Sequence, residues 1–476
     1  MISTRKTRAR RNLPSAYLLL VVLIAVVSTV NAQDEKPTIK LVVTSPDTVN
    51  IQIHLKEPVR GWSFLNSYAG AVGLVQRLGE FRASAPVKMV APGEFRADHD
   101  VAEFSYRVRL PLSQNQQPAH VSWLTVDSGL LMLADLIPTG LSPHGVDVSF
   151  DVPEGWRVYS SEAADRSGTY SVSNPSKAVF LVGAHVNSKS RSVERTRLDV
   201  ALVGNWPFKE ERVANGAERV LRKYFELTRF RLQAAANLVI APATLSRGEK
   251  WQAETRGSTV VLVVDPRASF QDWIAQLEVI LTHELLHLWI PNSLTLEGDY
   301  DWFFEGFTLY QALLIAQEVK LIDFKEYLNT LARVYDSYRS YVDTQSLIEA
   351  SERRWTAVAS PVYDKAMLVA FLYDLEVRHQ THGRSNLSDR YAELFRKFAG
   401  KTVNANDAIM SVLVLSPTTE SLLKSYVESR RPVELEEPLK LLGVSMQLSG
   451  TQTRLRVASA LDAEQMRILR SIGYKR

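Results

Sequence analysis

The 476-residue sequence contains no cysteine. That excludes a disulfide framework, a thiolate metal site, a cysteine nucleophile and a lipid-modified cysteine behind a leader. Net charge is also small, with 56 Lys and Arg against 52 Asp and Glu. Five of the basic residues (Arg5, Lys6, Arg8, Arg10 and Arg11) lie in the first 32 positions, which hold no acid, so 51 basic and 52 acidic residues remain beyond them. A chain so balanced offers no electrostatic basis for a nucleic acid or an anionic membrane as partner. Long apolar runs are scarce. The one directly behind the basic block, from Ala16 to Val30, is short for a bilayer span. Val30-Asn31-Ala32 has the small residues of a cleavage site. Residues 1–32 are therefore expected to be a secretory signal peptide, with an uncleaved membrane anchor as the alternative, and the protein is expected in the periplasm or outside the cell. At 46% hydrophobic and 23% charged the composition is globular, which excludes a disordered or polytopic chain. Without disulfides its stability rests on core burial, and a chain of this length can supply that.

From Gln33 to about Asn205 the apolar residues recur at every second position. Val49, Ile51, Ile53 and Leu55 alternate with polar residues, as do Phe104, Tyr106, Val108 and Leu110, and then Val146, Val148, Phe150 and Val152. Successive side chains of a strand point to opposite faces, so the alternation predicts strands buried on one side. An antiparallel β-sandwich-like domain over residues 33–205 follows. Its histidines (His54, His99, His120, His144 and His185) lack ligand spacing and read as surface or satisfied residues.

Near Trp206 and Pro207 the pattern changes. Helical spacing over 211–227 precedes short strands at 238–241 and 258–264, and Ser269 with Asp272 resembles a capping box. The helix opened there carries Trp273, Leu277, Leu281, Leu285 and Leu288 on one face. Beyond Tyr310, helices are expected around 324–341, 361–379, 387–398 and 418–428, with Ser360-Pro361 as a helix start that puts Tyr363 in the first turn. A short strand at 453–457 and a helix at 460–472 close the chain. The expected fold class is α+β: a β domain at 33–205, a mostly helical domain at 206–432, and a short extension at 433–476.

The chain's only H-E-x-x-H lies on the helix after Asp272. Residues four apart share a helix face, so His283 and His287 can both present a ring nitrogen to one metal ion. Glu284 lies about 100° round from His283 at 3.6 residues per turn, where it flanks the metal. That is the place for a general base acting on a metal-activated water. A break marked by Pro291, Asn292, Gly298 and Asp299 leads to W-F-F-E-G-F-T, whose Glu305 supplies a third ligand. The expectation is one zinc ion held by His283, His287 and Glu305, with a fourth position open. The bland alternative is two core-edge histidines and a capping glutamate. Gly306 has two readings, close backbone packing or simple tolerance of glycine in a helix.

H-E-L-L-H-L-W followed by W-F-F-E-G-F-T-L-Y resembles the glycyl aminopeptidase family of gluzincin zinc metallopeptidases, related more distantly to the aminopeptidase N family and to thermolysin. Glu254-Thr-Arg-Gly-Ser258 resembles the family's G-G-x-E-H region, Val362-Tyr-Asp-Lys-Ala366 its V-Y-x-K-G, and Leu422 to Gly443 its closing helix and connector. The resemblance spans roughly Trp206 to Gly443. It implies a thermolysin-like metallopeptidase domain that takes a peptide or protein substrate. In it, His283, His287 and Glu305 would bind Zn2+, Glu284 would activate water, and the Tyr363 hydroxyl would stabilise the tetrahedral oxyanion. Glu254 would line the substrate cleft from an edge strand, where the family recognises a free α-amino group.

The sequence departs from the family in three places. Trp251-Gln252-Ala253 stands where the two glycines would be and Thr255 replaces the histidine; Ala366 replaces a glycine; and the C-terminal stretch is too short for the family's PDZ domain. A peptide-hydrolysing zinc enzyme is expected, an aminopeptidase first. An endopeptidase or amidase on the same zinc site is an alternative, as is a non-catalytic binding or assembly module that retains the fold.

Overall fold

The computed structural model describes residues 36–475 except 45, 113–116, 142, 233, 247, 268–269, 343 and 355–360, and leaves the side chains of 270–275 undescribed. The expected signal peptide, the capping box at 269–272, the Trp273 side chain and Ser360 fall outside the described residues. Among the described residues no helix is long and apolar enough to cross a membrane.

The N-terminal region is built from two stacked sheets, as the alternating pattern predicts. An eight-stranded sheet runs in the order Ala163–Ala164, Tyr170–Val172, Val146–Asp151, Thr38–Thr44, Thr48–Ser63, Glu94–Arg109 and Leu78–Ala83, with Val87–Ala91 also paired to Glu94–Arg109. Its pairs are antiparallel except Thr38–Thr44 with Val146–Asp151, which run parallel. Val49, Ile51, Ile53, Phe104, Tyr106 and Val108 all point into one core.

A four-stranded sheet (Arg157–Ser160, Val179–Gly183, Ser128–Met132, Trp123–Leu124) covers that core. Ser128–Met132 and Val179–Gly183 are buried at every position. Period two explains why. Leu131, Phe180 and Val182 face the eight-stranded sheet, whereas Leu130, Met132, Val179 and Leu181 face the next layer.

That next layer is a five-stranded sheet. Its strands are β1 (Val186–Val193), β2 (Thr196–Val203), β3 (Ala236–Pro242), β4 (Trp251–Arg256) and β5 (Thr259–Val264), in the order β1-β2-β3-β5-β4. The expected boundary at residue 205 thus falls between two strands of one sheet. Ala201, Val239, Val261 and Val263 face the four-stranded sheet, while Val200, Leu238, Ile240, Val260 and Leu262 face the helices.

The helices named here are α1 (Glu210–Thr228), α2 (Phe270–Leu286), α3 (Thr308–Glu318), α4 (Phe324–Arg339), α5 (Leu347–Glu352) and α6 (Ala366–Gln380). The C-terminal extension belongs to the same body. Val444–Ser449 and Gln452–Val457 form a hairpin, and Ile468, Leu469 and Ile472 of the last helix enter the helical core.

Wide π turns interrupt this regularity, and two of them, Trp302–Phe307 before α3 and Pro361–Lys365 before α6, lie against each other. Gly306 lies where they meet. A Cβ there would come 2.2 Å from Ala366 Cβ and 2.8 Å from the Ala366 carbonyl carbon and the Met367 nitrogen. Close backbone approach therefore accounts for Gly306. Gly306→Ala is expected to destabilise the protein by about 1–3 kcal/mol or more through overpacking. Gly216→Ala, whose Cβ would meet Leu321 at 3.6 Å inside α1, is expected to stabilise by roughly 0.5–1 kcal/mol through helix propensity. Urea midpoints at unchanged slope check both.

Candidate active site

The buried face of α2 is anchored by Leu277, Leu281 and Leu285. His283 occupies its last turn and His287 lies just past its end, where a tight turn returns the His287 amide to the Glu284 carbonyl at 3.1 Å. The side-chain amide of Asn292 donates to the carbonyl of Leu288 at 3.2 Å and to that of Gly257 at 2.8 Å. It thereby serves a carbonyl that the ending helix leaves open. The π turn then aims Glu305 back at the histidines, and Phe304 stacks on the His287 ring with centroids 4.1 Å apart.

His283, His287 and Glu305 converge as expected and can hold a metal ion. The two histidine Nε2 atoms are 3.0 Å apart, and Glu305 Oε2 lies 3.3 and 3.8 Å from them. Tetrahedral zinc with bonds of about 2.0–2.1 Å needs ligand atoms roughly 3.3 Å apart, so the set fits.

The proton arrangement fits as well. The Thr308 hydroxyl donates to the Glu305 carbonyl at 2.8 Å, so toward His283 Nδ1, 3.3 Å away, it can only accept. With its proton on Nδ1 toward this hydroxyl, His283 has Nε2 free for a metal. Burial and neighbouring His283 push His287 down to about 3, so it is neutral, the form a metal binds. Burial alone would raise Glu305. Its polar surroundings, the Arg354 guanidinium among them, outweigh burial and hold the Glu305 carboxyl below its usual range, in the ionised form that a metal binds. The bland reading, two core-edge histidines and a capping glutamate, gives no reason for three ligand atoms to converge in a buried spot.

Glu284, 7% exposed, is raised above the usual carboxylate range, first by burial and also by the charge of Glu305. Its Oε2 accepts a 2.7 Å hydrogen bond from Thr255 on β4. Tyr363 lies on the second π turn, where its oxygen accepts from Arg354 Nη2 at 2.9 Å. Burial keeps its phenol neutral at ordinary pH.

Glu254 sits on the edge strand as expected, but its oxygens are already engaged. Tyr68 OH donates to Oε1 at 2.5 Å, and His120 Nδ1 and Arg256 Nε lie 2.8 and 3.2 Å from Oε2. Arg256 also stacks over the Tyr68 ring at 4.4 Å. His120, read from sequence as a bystander, therefore lines the cleft. Period two along β4 separates the roles: Thr255 faces α2, while Glu254 and Arg256 face the N-terminal region. The cleft has a volume of about 1140 Å³ and joins Tyr68, His120 and Glu254 to Glu284, Arg354 and Tyr363.

Sequence reasoning missed Thr255, Arg354, Tyr68 and His120 as site residues. None carries a spacing signal, and the partners of Thr255 and Arg354 lie on other elements, at Glu284 and Glu305.

Residues 215–425 match the model of the peptidase family M1 domain. No curated protein matches the chain. Among solved structures, an aminopeptidase N family protein from Idiomarina loihiensis is similar with a TM-score of 0.72 and 17% identity, over 86% of this chain and 79% of that one. The M1 zinc metallopeptidase from Deinococcus radiodurans is similar with a TM-score of 0.52 and 15% identity, over 84% and 95%. A variant of it bound to a Tyr-Ser-Ala substrate gives 0.53 and 15%, over 85% and 96%. At these identities the structural likeness shows the fold: a β-rich N-terminal region followed by a helical peptidase domain. The matched segment holds the His-His-Glu set, and the domain is that of a zinc metallopeptidase using one zinc ion.

Thr255→Val is expected to lower kcat about 10- to 100-fold, the loss of a hydrogen bond to a charged group worth roughly 1.5–3 kcal/mol. Thr255→Ser keeps most of the activity, and zinc content by metal analysis is unchanged in both.

Proposed function

We propose that this zinc metallopeptidase domain hydrolyses peptide bonds, with Glu284 as general base and Tyr363 as oxyanion donor, and that it acts at the amino end of its substrate. The observation that carries the reading is the convergence, in one cleft, of the buried His283-His287-Glu305 set, a carboxylate raised by burial and a neutral phenol. Zinc, when bound, supplies Lewis acidity that polarises the scissile carbonyl and makes a water easier to deprotonate.

The chain's own residues do the rest. Thr255 orients the Glu284 carboxylate through Oε2, and the carboxylate takes the proton from the attacking water and returns it to the departing amine. A raised pKa suits a group that must first accept and then donate. Arg354 occupies a lone pair of the Tyr363 oxygen, which leaves the phenol hydrogen for the carbonyl oxygen as it gains negative charge.

Cleavage at the amino end, in the manner of the glycyl aminopeptidases that the motifs resemble, is supported by the place of Glu254 on the edge strand lining the cleft. The structurally similar M1 zinc metallopeptidase variant from Deinococcus radiodurans is bound to a Tyr-Ser-Ala substrate. The leader-like first 32 residues argue for action outside the cytoplasm, on peptides or proteins present there.

A specific observation favours a second reading, endopeptidase action. Glu254 is lowered because the donors His120 and Tyr68 and the charge of Arg256 outweigh its burial. Its charge is thus already balanced, whereas a receptor for an α-ammonium group needs charge in excess.

Glu284→Gln is expected to keep its zinc and lose activity by about 10²–10⁴-fold, the usual contribution of a general base. Retained turnover in that variant would refute the mechanism. A peptide library offered with free and with acetylated N-termini, read by mass spectrometry, separates the two substrate readings. Acetylation abolishes cleavage by an aminopeptidase and leaves an endopeptidase unaffected.

A further inference from the structure

Arg354 lies in the turn that follows the short helix α5, and its side chain is 15% exposed. Its guanidinium meets acceptors on both π turns. Nη1 pairs with Asp301 Oδ1 at the start of the first π turn. Nη2 donates to Glu305 Oε1 at 2.6 Å and to the Tyr363 hydroxyl oxygen at 2.9 Å. The two oxygens of Glu305 are thereby distinguished, since Oε2 is the one that faces the histidine nitrogens.

We propose that Arg354 is a positioning residue that couples the third metal ligand to the oxyanion donor. By holding Oε1 it makes Glu305 present Oε2 alone to the metal, and by filling a lone pair of the Tyr363 oxygen it turns the phenol hydrogen toward the substrate. The coupling to Tyr363 rests on the oxyanion role argued above, whereas the hold on Glu305 does not.

The chemistry of the side chain suits both tasks. Guanidinium is planar, permanently charged and carries five donors in a fixed fork, so one group can serve several acceptors in set directions. Lysine places a single point charge and cannot reproduce the fork. A phenol whose oxygen accepts a charge-assisted hydrogen bond is also a stronger donor through its own hydrogen, because chained hydrogen bonds polarise one another. The partners of metal ligands typically contribute about 10- to 100-fold to metal affinity.

The test is a double-variant cycle on the full chain: Arg354→Gln, Tyr363→Phe, their combination, and Arg354→Lys. Zinc affinity is measured by chelator competition, and kcat on a cleaved peptide at saturating zinc. Arg354→Gln is expected to weaken zinc about 10- to 100-fold and to lower kcat about tenfold or more, as expected for a lost oxyanion contact. Tyr363→Phe lowers kcat and leaves zinc affinity unchanged. In the combined variant the kcat loss stays within about twofold of Tyr363→Phe alone, because coupled residues are non-additive, while the zinc defect persists. Arg354→Lys keeps the charge beside Glu305, so it retains most of the zinc affinity and still loses kcat; this split also guards against a folding defect in the glutamine variant.

Zinc affinity unchanged in Arg354→Gln, or kcat losses that simply multiply in the combined variant, would overturn the coupling. An unchanged kcat in Tyr363→Phe would overturn the oxyanion role instead, and with it the Tyr363 half of the coupling. The zinc measurement then still decides the Glu305 half.

Discussion

Glu305 is a carboxylate at 5% exposure, and a buried charge persists only when both of its oxygens are engaged. One oxygen faces the paired histidine nitrogens and the other faces Arg354. That requirement sets much of the local architecture. It draws together the end of α2, the two π turns, and the turn after α5. The π turns are wider than an α-helical turn, and such turns recur at functional sites. Here they carry Glu305 and Tyr363, and they can lie against each other because Gly306 offers no side chain to the Ala366 backbone.

A second constraint acts at larger scale. The four-stranded sheet buries both of its faces, one against the eight-stranded sheet and one against the five-stranded sheet beneath the helices. The N-terminal region is therefore joined to the catalytic region by continuous apolar packing. Tyr68 and His120 of the N-terminal region reach Glu254 on the edge strand, at 2.5 and 2.8 Å. The cleft wall is thus a product of the sheet stack as well as of the peptidase helices.

What could be read from sequence follows from which interactions leave a periodic trace. The alternation of Val49, Ile51 and Ile53, and the four-residue spacing of His283 and His287, are direct consequences of strand and helix geometry, and both hold. Glu305 was legible because a second helix start follows a clear break. The middle sheet was not. Strands buried on both faces, such as Ser128–Met132, carry apolar residues at successive positions and lose the period-two signal. Arg354 and Thr255 act through single hydrogen bonds to distant elements, and such bonds impose no spacing on the chain. In sequence Thr255 is only a departure, standing where the resembling family has histidine. In the fold it is the donor that orients Glu284.

Strand β4 shows how chemistry and recognition are kept apart. Thr255 faces Glu284, and its neighbour Glu254 faces the N-terminal region, because adjacent residues of a strand point to opposite sides. Two glutamates of the cleft have a guanidinium partner, Glu305 with Arg354 and Glu254 with Arg256, and their charges are balanced inside the protein. Glu284 alone among the three cleft glutamates faces a hydroxyl donor in place of a cation, and it is the one whose pKa burial raises. The charges of Glu305 and Glu254 are satisfied by the fold, and the group left poised to exchange a proton is Glu284, the proposed base. The cluster of Glu254, Tyr68 and His120 is thereby separated from the Thr255–Glu284 contact, which lies on the opposite face of the same strand.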